Sequence, residues 1–568
     1  MSPVGIGRTS IMDDLEDISM QDVTLHASAD NEPHRKKVKT TTTPSSTPSS
    51  SPPTTSFLTG KEGVCRIEVA RVEWMTTTPW QRTPQTKSSG TGFIIAATQL
   101  ANENLILTNA HVVRSSVDIR VRKHGSTRRF AAQVIVYAPD VDLALLTLKG
   151  CSLEDQKEFF GDVVEESSST NKLSKHALEL ADELPSLQES VHVMGFPTGG
   201  TTICITEGVV SRIDLVMASA FNILLAIQID AAINSGNSGG PAFDKHGKVV
   251  GVAFFKNTSK KTDNVGYLIP ADVVRTFLGR CKLDRDAGTS TYTLSPSLPY
   301  DWHPLENASL RLAHKVPSSV HGILVTSLSD TLDGILKKGD VLTHIDGKAL
   351  ADDGQVVLRR DELIQHRYLL RGKRVDEPTI FTVYRDGKDN QECPPCVLGN
   401  IPSICLRWVD VDYPPDYLVL GALVLLPMSW ALRSHKRCGK KLIGESIDWC
   451  QKWPQEWEGK TGLVILVDIL AHELTFSYSR PWRQVTTYNG TPILSLEHLR
   501  DMWQTSCQES KSAKEDGNKD PTFARLELKG DRDIVLEVQA AIEAESEVLK
   551  RHQIPKASHI SPRNPRYN

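Results

Sequence analysis

The chain has 568 residues, 39% of them hydrophobic and 24% charged, and 65 Lys and Arg against 69 Asp and Glu leave a net charge of -4. That length holds roughly three to four domains. The apolar content suffices for packed cores, and the charge balance gives no ground for nucleic acid or a membrane as a partner. Ten cysteines scattered from Cys65 to Cys507 are not the framework of a small secreted scaffold, so a reducing compartment is expected.

The first residues carry no apolar core and five acids within MSPVGIGRTSIMDDLEDISMQD, which fits neither a secretory leader nor an acid-poor transit peptide. Residues 1–60 read as a disordered tail rich in Ser, Thr and Pro. Within it the basic cluster from His34 to Lys39 reads either as a nuclear-import or anion-binding patch or as an ordinary solvated charge run.

From Cys65 to about Arg280 short β-branched runs are separated by Gly, Pro, Asn and Asp, the pattern of a β-sandwich or β-barrels. Lys172 to Glu189 is expected to interrupt them as a charged helical insertion. Pro270 to Cys281 should close the unit as a helix with Pro at its first position. A second unit, 284–392, should hold a strand opening at Gly322, a turn at Asp346-Gly347, a helix-period stretch from Glu362 to Leu370 and a strand in PTIFTVYRDG. A third, 393–553, ends in a helical run, and 554–568 reads as a loose tail. The longest apolar run, Tyr417 to Leu432, is 16 residues with Pro427 inside. That is short of the ~20 needed to span a bilayer, so it predicts a buried strand or two with a turn at Pro427.

The most informative stretch is DAAINSGNSGGPAF, starting at Asp230. Ser238 stands among glycines, which leave the N–H groups of Gly236 and Ser238 free to face a developing oxyanion. A nucleophilic serine also needs a base and an orienting acid. His111 follows the strand LILTNA, and Asp142 opens the apolar run DLALL, with Asp140 as the turn residue after Pro139. The order His111, Asp142, Ser238 is that of chymotrypsin-type proteases. CPPC at 393–396 is the sole CxxC pair and reads as a turn, since neither metal-ligand spacing nor a redox-fold context accompanies it.

TNAHVV at 108–113, DLALL at 142–146 and NSGNSGGP at 234–241 resemble the three signatures of HtrA/Deg serine proteases. GTGF at 90–93, GFPTGG at 195–200, GVVSR at 208–212 and NVGYLIP at 264–270 are similar to that family as well. PWQR at 79–82, ADDG at 351–354 and KRHQI at 550–554 are similar to its plant nuclear Deg-type subgroup. The resemblance implies a mainly β protein: a chymotrypsin-like double-barrel protease domain at 61–283, a PDZ domain and a divergent PDZ-like domain. It implies an ATP-independent endopeptidase cutting misfolded or regulatory proteins through an acyl-enzyme, with no metal or organic cofactor, and assembling as trimers or multiples of them.

His111 would be general base and then acid, Asp142 its orienter, Ser238 the nucleophile, and Gly236 and Ser238 the oxyanion donors. Neutral Asn237 precedes the serine where digestive proteases carry an acid, so activation should come from loop ordering and not from a freshly cut N-terminus. Ile233, Ala253 and Phe254 would line an uncharged first substrate pocket. Gly322, Ile323 and Leu324 would either present the strand to which a peptide carboxyl terminus adds or pack against their neighbours. The alternative reading is a PDZ-based scaffold or chaperone with a latent protease unit. The expected location is the nucleus, with cytoplasm or plastid as the alternatives.

Overall fold

The computed structural model describes residues 56–95, 104–165, 172–219, 222–256, 265–289, 292–374, 377–401, 403–405, 414–429, 431–432, 453–517 and 520–561. The cluster from His34 to Lys39 lies outside them.

Two closed six-stranded barrels build the first unit. One is formed by Val64–Arg71, Thr86–Ile95, Leu105–Thr108, Ser116–Lys123, Phe130–Ala138 and Leu143–Leu148. The other is formed by Ser190–Gly195, Cys204–Ser219, Asn222–Ile229, Pro241–Phe243, Val249–Lys256 and Gly266–Pro270. Short strands rich in Val, Ile and Leu fit this architecture because alternate side chains enter the barrel while closure removes the exposed edges.

Lys172 to Glu189 is not helical: after the short strand Lys172–Ser174 it runs as an extended strap between the barrels. Leu178 N–H donates to the Ile94 carbonyl of the first barrel (2.9 Å), and Ala181 N–H to the Val249 carbonyl of the second (2.8 Å). The helix of this region is Leu153–Phe160, started by a reciprocal cap between Ser152 and Asp155. Helix Ala271–Asp286 closes the unit as expected, but Pro270 is its N-cap and the last residue of a strand.

The second unit is a sheet in the order Tyr300–Pro304, Ile323–Leu328, Val341–Ile345, Phe381–Arg385, Lys388–Glu392. Asp346 and Gly347 both have positive φ (50° and 73°), the demand of a two-residue hairpin turn. The stretch from Glu362 to Leu370 is only partly helical. Glu362–Gln365 pairs with Gln355–Arg359, and the helix is Arg367–Arg371. Buried Ile364 beside half-exposed Leu363 is the alternation of a strand.

The boundary expected at 392/393 falls inside this unit. Cys396–Val397 pairs with Pro378–Thr379, and Cys393, Cys396 and Leu398 join the unit's core.

The third unit is a sheet running Ile534–Glu537, Phe523–Leu528, Arg483–Tyr488, Val464–Ile469, Leu423–Pro427, Tyr417–Leu420, Ser558–His559, with helices Leu496–Glu515 and Val538–Arg551. The apolar run from Tyr417 makes two strands as expected. Their turn is at Gly421 (φ 60°), where glycine alone is relaxed, and Pro427 ends the second strand. Ser558–His559 pairs with Tyr417–Leu418, so the chain is pinned past 553. No helix among the described residues is long and apolar enough to cross a membrane.

The units touch. Trp80 of the first packs edge-on against Tyr417 of the third, with ring centroids 5.4 Å apart. The Arg359 guanidinium of the second donates to the carbonyls of Leu184 and Pro185 in the strap.

Candidate active site

His111 lies on the single helical turn Ala110–Val113 that follows strand Leu105–Thr108. That strand pairs with Leu143–Leu148, with Thr108 opposite Ala144, so the residue just before the second strand comes up beside the histidine turn. That residue is Asp142. One carboxylate oxygen accepts from the His111 backbone N–H at 2.9 Å, and the other lies 2.7 Å from His111 Nδ1. A carboxylate only accepts, so Nδ1 carries the proton of a neutral imidazole and Nε2 is left as the basic nitrogen.

Asp142 reaches this position with φ 52°, a conformation that costs a non-glycine residue about 1–2 kcal/mol. Two hydrogen bonds to its carbonyl hold it there, from Ala110 N–H (3.1 Å) and Asn109 Nδ2 (3.0 Å). Arg71 fixes the turn from the other side, donating to the carbonyls of His111 (2.7 Å) and Val112 (2.6 Å). Neither Arg71 nor Asn109 was singled out in the sequence. The arginine carries no local signal, and the asparagine lies inside TNAH.

Ser238 lies in a tight loop tied by several backbone hydrogen bonds. Asn237 N–H donates to Asn234 (2.9 Å), Gly240 N–H to Asn237 (2.9 Å) and Gly239 N–H to Ala253 (2.7 Å). The loop abuts the histidine turn: a Cβ placed on Gly239 would lie 2.3 Å from Thr108 Oγ1 and 2.1 Å from the Thr91 carbonyl. Gly236 has φ 100°, and a Cβ there would lie 2.4 Å from the Phe196 carbonyl. Both glycines are thus required by space as well as by φ.

The Ser235 carbonyl accepts from Thr198 N–H at 2.7 Å. Because a trans peptide points its C=O and N–H to opposite sides, the Gly236 N–H faces away from the Phe196–Thr198 segment. Asn237 is 1% exposed, and neither amide atom of its side chain finds a hydrogen-bond partner among the described residues.

Ile233 and Ala253 belong to the same large core cluster, at 2% and 0% exposure. Phe254 points to the other side of its strand and packs near Tyr267 in a different cluster. Two of the three expected pocket residues thus share a core cluster and the third does not.

Gly322, Ile323 and Leu324 are placed otherwise than a peptide-capturing strand requires. Strand Ile323–Leu328 is bonded on one side to Tyr300–Pro304 and on the other to Val341–Ile345. Ile323 and Leu324 are buried, and Gly322 N–H donates to Asp352 Oδ1 (3.0 Å). No edge is open there, and the outer strands of this sheet are Tyr300–Pro304 and Lys388–Glu392. Cys393 and Cys396 are buried free thiols, and no group of ligating side chains suited to a metal occurs among the described residues.

Residues 90–252, which include all of His111, Asp142 and Ser238, match the trypsin-like peptidase domain, and residues 407–560 match the PDZ domain. Protease Do-like 4, mitochondrial, of Arabidopsis thaliana is 33% identical over 490 residues, covering 84% of this chain and 81% of the relative. The chain belongs to the HtrA/Deg family of serine endopeptidases. Protease Do-like 2, chloroplastic, from the same plant is 35% identical over 429 residues, covering 74% of this chain and 64% of the relative. The serine protease DegP homolog of Plasmodium falciparum is 34% identical, covering 78% of this chain and 58% of the relative. The match at 407–560 makes the third unit of this HtrA/Deg protease a PDZ domain.

Proposed function

We propose that the chain hydrolyses peptide bonds with Ser238 as nucleophile, His111 as general base and then acid, and Asp142 as its orienter. His111 Nε2 takes the Ser238 hydroxyl proton as Oγ bonds to the scissile carbonyl carbon. The carbonyl oxygen, now an anion, is received by the N–H groups of Gly236 and Ser238. Collapse expels the amine, which takes the proton from His111, and leaves an ester on Ser238. Water, deprotonated by the same imidazole, then attacks the ester, and His111 returns the proton to Ser238 Oγ as the acid leaves. The two-point contact of the Asp142 carboxylate with His111 carries this reading, because it fixes both the tautomer and the ring orientation.

The apolar walls at Ile233 and Ala253 offer no carboxylate to pair with Lys or Arg, so cleavage after uncharged aliphatic residues of misfolded or regulatory polypeptides is favoured. Peptide capture by the second unit would use the outer edge of Tyr300–Pro304. The family habit of oligomerisation supports trimers or multiples of them.

Two of the relatives bear names that place them in mitochondria and chloroplasts. Nuclear placement of this chain rests on the cluster from His34 to Lys39, and a fluorescent fusion with Lys36→Ala and Lys37→Ala tests it. Labelling by a fluorophosphonate probe separates a working triad from a latent one. Label on the wild type that is absent from Ser238→Ala supports the proposal, and an unlabelled, folded wild type favours the scaffold reading.

A further inference from the structure

Thr91 is the residue between Gly90 and Gly92 in strand Thr86–Ile95 of the first barrel, and it is 0% exposed. Its hydroxyl and its backbone N–H are engaged across the interface between the barrels, and its carbonyl within the first barrel. Its hydroxyl donates to the Gly236 carbonyl at 2.7 Å and accepts from Phe196 N–H at 2.9 Å. Its backbone N–H donates to the Ser238 carbonyl at 2.9 Å. Its carbonyl accepts from the Thr108 hydroxyl at 2.7 Å, three residues before His111.

Gly236 is the hinge of this arrangement. A glycine rotates about φ and ψ with little penalty, and an oxyanion donor that rotates is of little use. The peptide before Gly236 is held through the Ser235 carbonyl by Thr198 N–H. The peptide after it is held through the Gly236 carbonyl by Thr91 Oγ1. With both flanking planes clamped, φ and ψ of Gly236 are fixed and its N–H keeps one direction.

We propose that Thr91 is a positioning residue for oxyanion stabilisation: its buried hydroxyl locks Gly236 so that the N–H stays aimed at the oxygen of the tetrahedral intermediate. The hydroxyl, and not only the shape, is needed, because a single atom both donates to Gly236 and accepts from Phe196. Valine, of nearly the same volume, can do neither. The first barrel thereby holds the donor loop of the second in register with the histidine turn, to which Thr108 ties the same residue. The inference rests on the assignment of Ser238 and Gly236 above.

The test is the Thr91→Val variant of the full chain, assayed on a peptide substrate well below its melting temperature, with active sites titrated. The expected result is a fall in kcat of about 10- to 100-fold, part of the loss seen when an oxyanion donor is removed outright, with KM changed less than about threefold. The affinity for a peptide boronate, which mimics the tetrahedral state, should fall in parallel with kcat. Thr91→Ser should restore both. Unchanged kcat per titrated site in Thr91→Val, or a rise in KM alone, would overturn the proposal. Should the valine variant not fold, Thr91→Cys, whose thiol is a weak donor, takes its place with the same two outcomes. Cleavage that survives in Ser238→Ala would instead overturn the nucleophile assignment, which keeps the two failures apart.

Discussion

The carboxylate of Asp140 accepts two hydrogen bonds from Ser295, at 2.7 Å from its N–H and 2.5 Å from its hydroxyl. Asp140 stands two residues before Asp142, and Ser295 stands in the segment that leads from the protease unit into the second unit. Arg280, 2% exposed, donates to the same Ser295 hydroxyl (2.7 Å) and to the Lys373 carbonyl of the second unit (2.7 Å). One buried polar chain thus runs from the turn that bears the orienting acid, through the linker and the closing helix, to the second unit.

Arg280→Met keeps most of the volume and removes these donors, leaving buried acceptors unpaired. Loss of one member of such a buried network costs about 3–5 kcal/mol. The expected outcome is faster cleavage of the linker around 287–297 in limited proteolysis and a lower first melting transition. Arg280→Lys should recover only part of the effect, since an ammonium cannot span the same acceptors as a guanidinium. Wild-type proteolysis kinetics in Arg280→Met would remove the network's structural role.

Asn237 yields a prediction of opposite signs. Its buried amide has no partner among the described residues, so Asn237→Leu, apolar and of similar size, should change stability by less than about 1 kcal/mol or raise it. Asn237→Asp places an unpaired carboxylate in the same site and should destabilise by several kcal/mol at neutral pH. Thermal melts of the two variants decide it, and an aspartate variant as stable as wild type would show a cation or water reaching the site.

His366 sets a pH dependence in the second unit. Its ring stacks on Tyr300 at 6.1 Å, and Nδ1 bonds to the Gly354 carbonyl at 2.9 Å. Burial pushes the imidazole down from 6.5 to about 4, with the Gly354 hydrogen bond opposing and Arg367 adding to the fall. Above pH 6.5 the ring is neutral in both folded and unfolded chains. Between 6.5 and 4 only the unfolded chain takes up the proton, so stability falls as the pH drops, by about 3 kcal/mol in all, and then levels off. Hydrogen exchange in strand Phe381–Arg385 should show this loss in wild type and lack it in His366→Phe. An equal loss in both would place the titration elsewhere.

The site was legible in the sequence where its chemistry is local. Ser238 is marked by glycines, whose added Cβ atoms would collide with the segments at 196–198 and with Thr91 and Thr108, and Asp142 by the apolar strand it opens. Arg71, Thr91 and the Asp140–Ser295 contact were not legible, because their partners, Thr108 apart, lie 40 to 155 residues away and meet only once the barrels close. Lys172 to Glu189 was misread for a physical reason. Leu178, Ala181 and Leu184 recur every third residue as on a helix, yet here they are the anchors of an extended strap. For Gly322 both readings stayed open, because a glycine opening an apolar strand does not reveal whether that strand is an edge, and the structure favours packing against its neighbours. Its partner Tyr300–Pro304 is 19 or more residues upstream and was not recognised as a strand.

The most direct measurement is cleavage of unfolded casein by the purified wild-type chain beside Ser238→Ala. Degradation by the wild type, lowered at least about 10³-fold in the variant while its melting temperature is kept, is the predicted result. Equal degradation by both, or none by a folded and oligomeric wild type, would contradict the assignment of Ser238, His111 and Asp142 as a working triad.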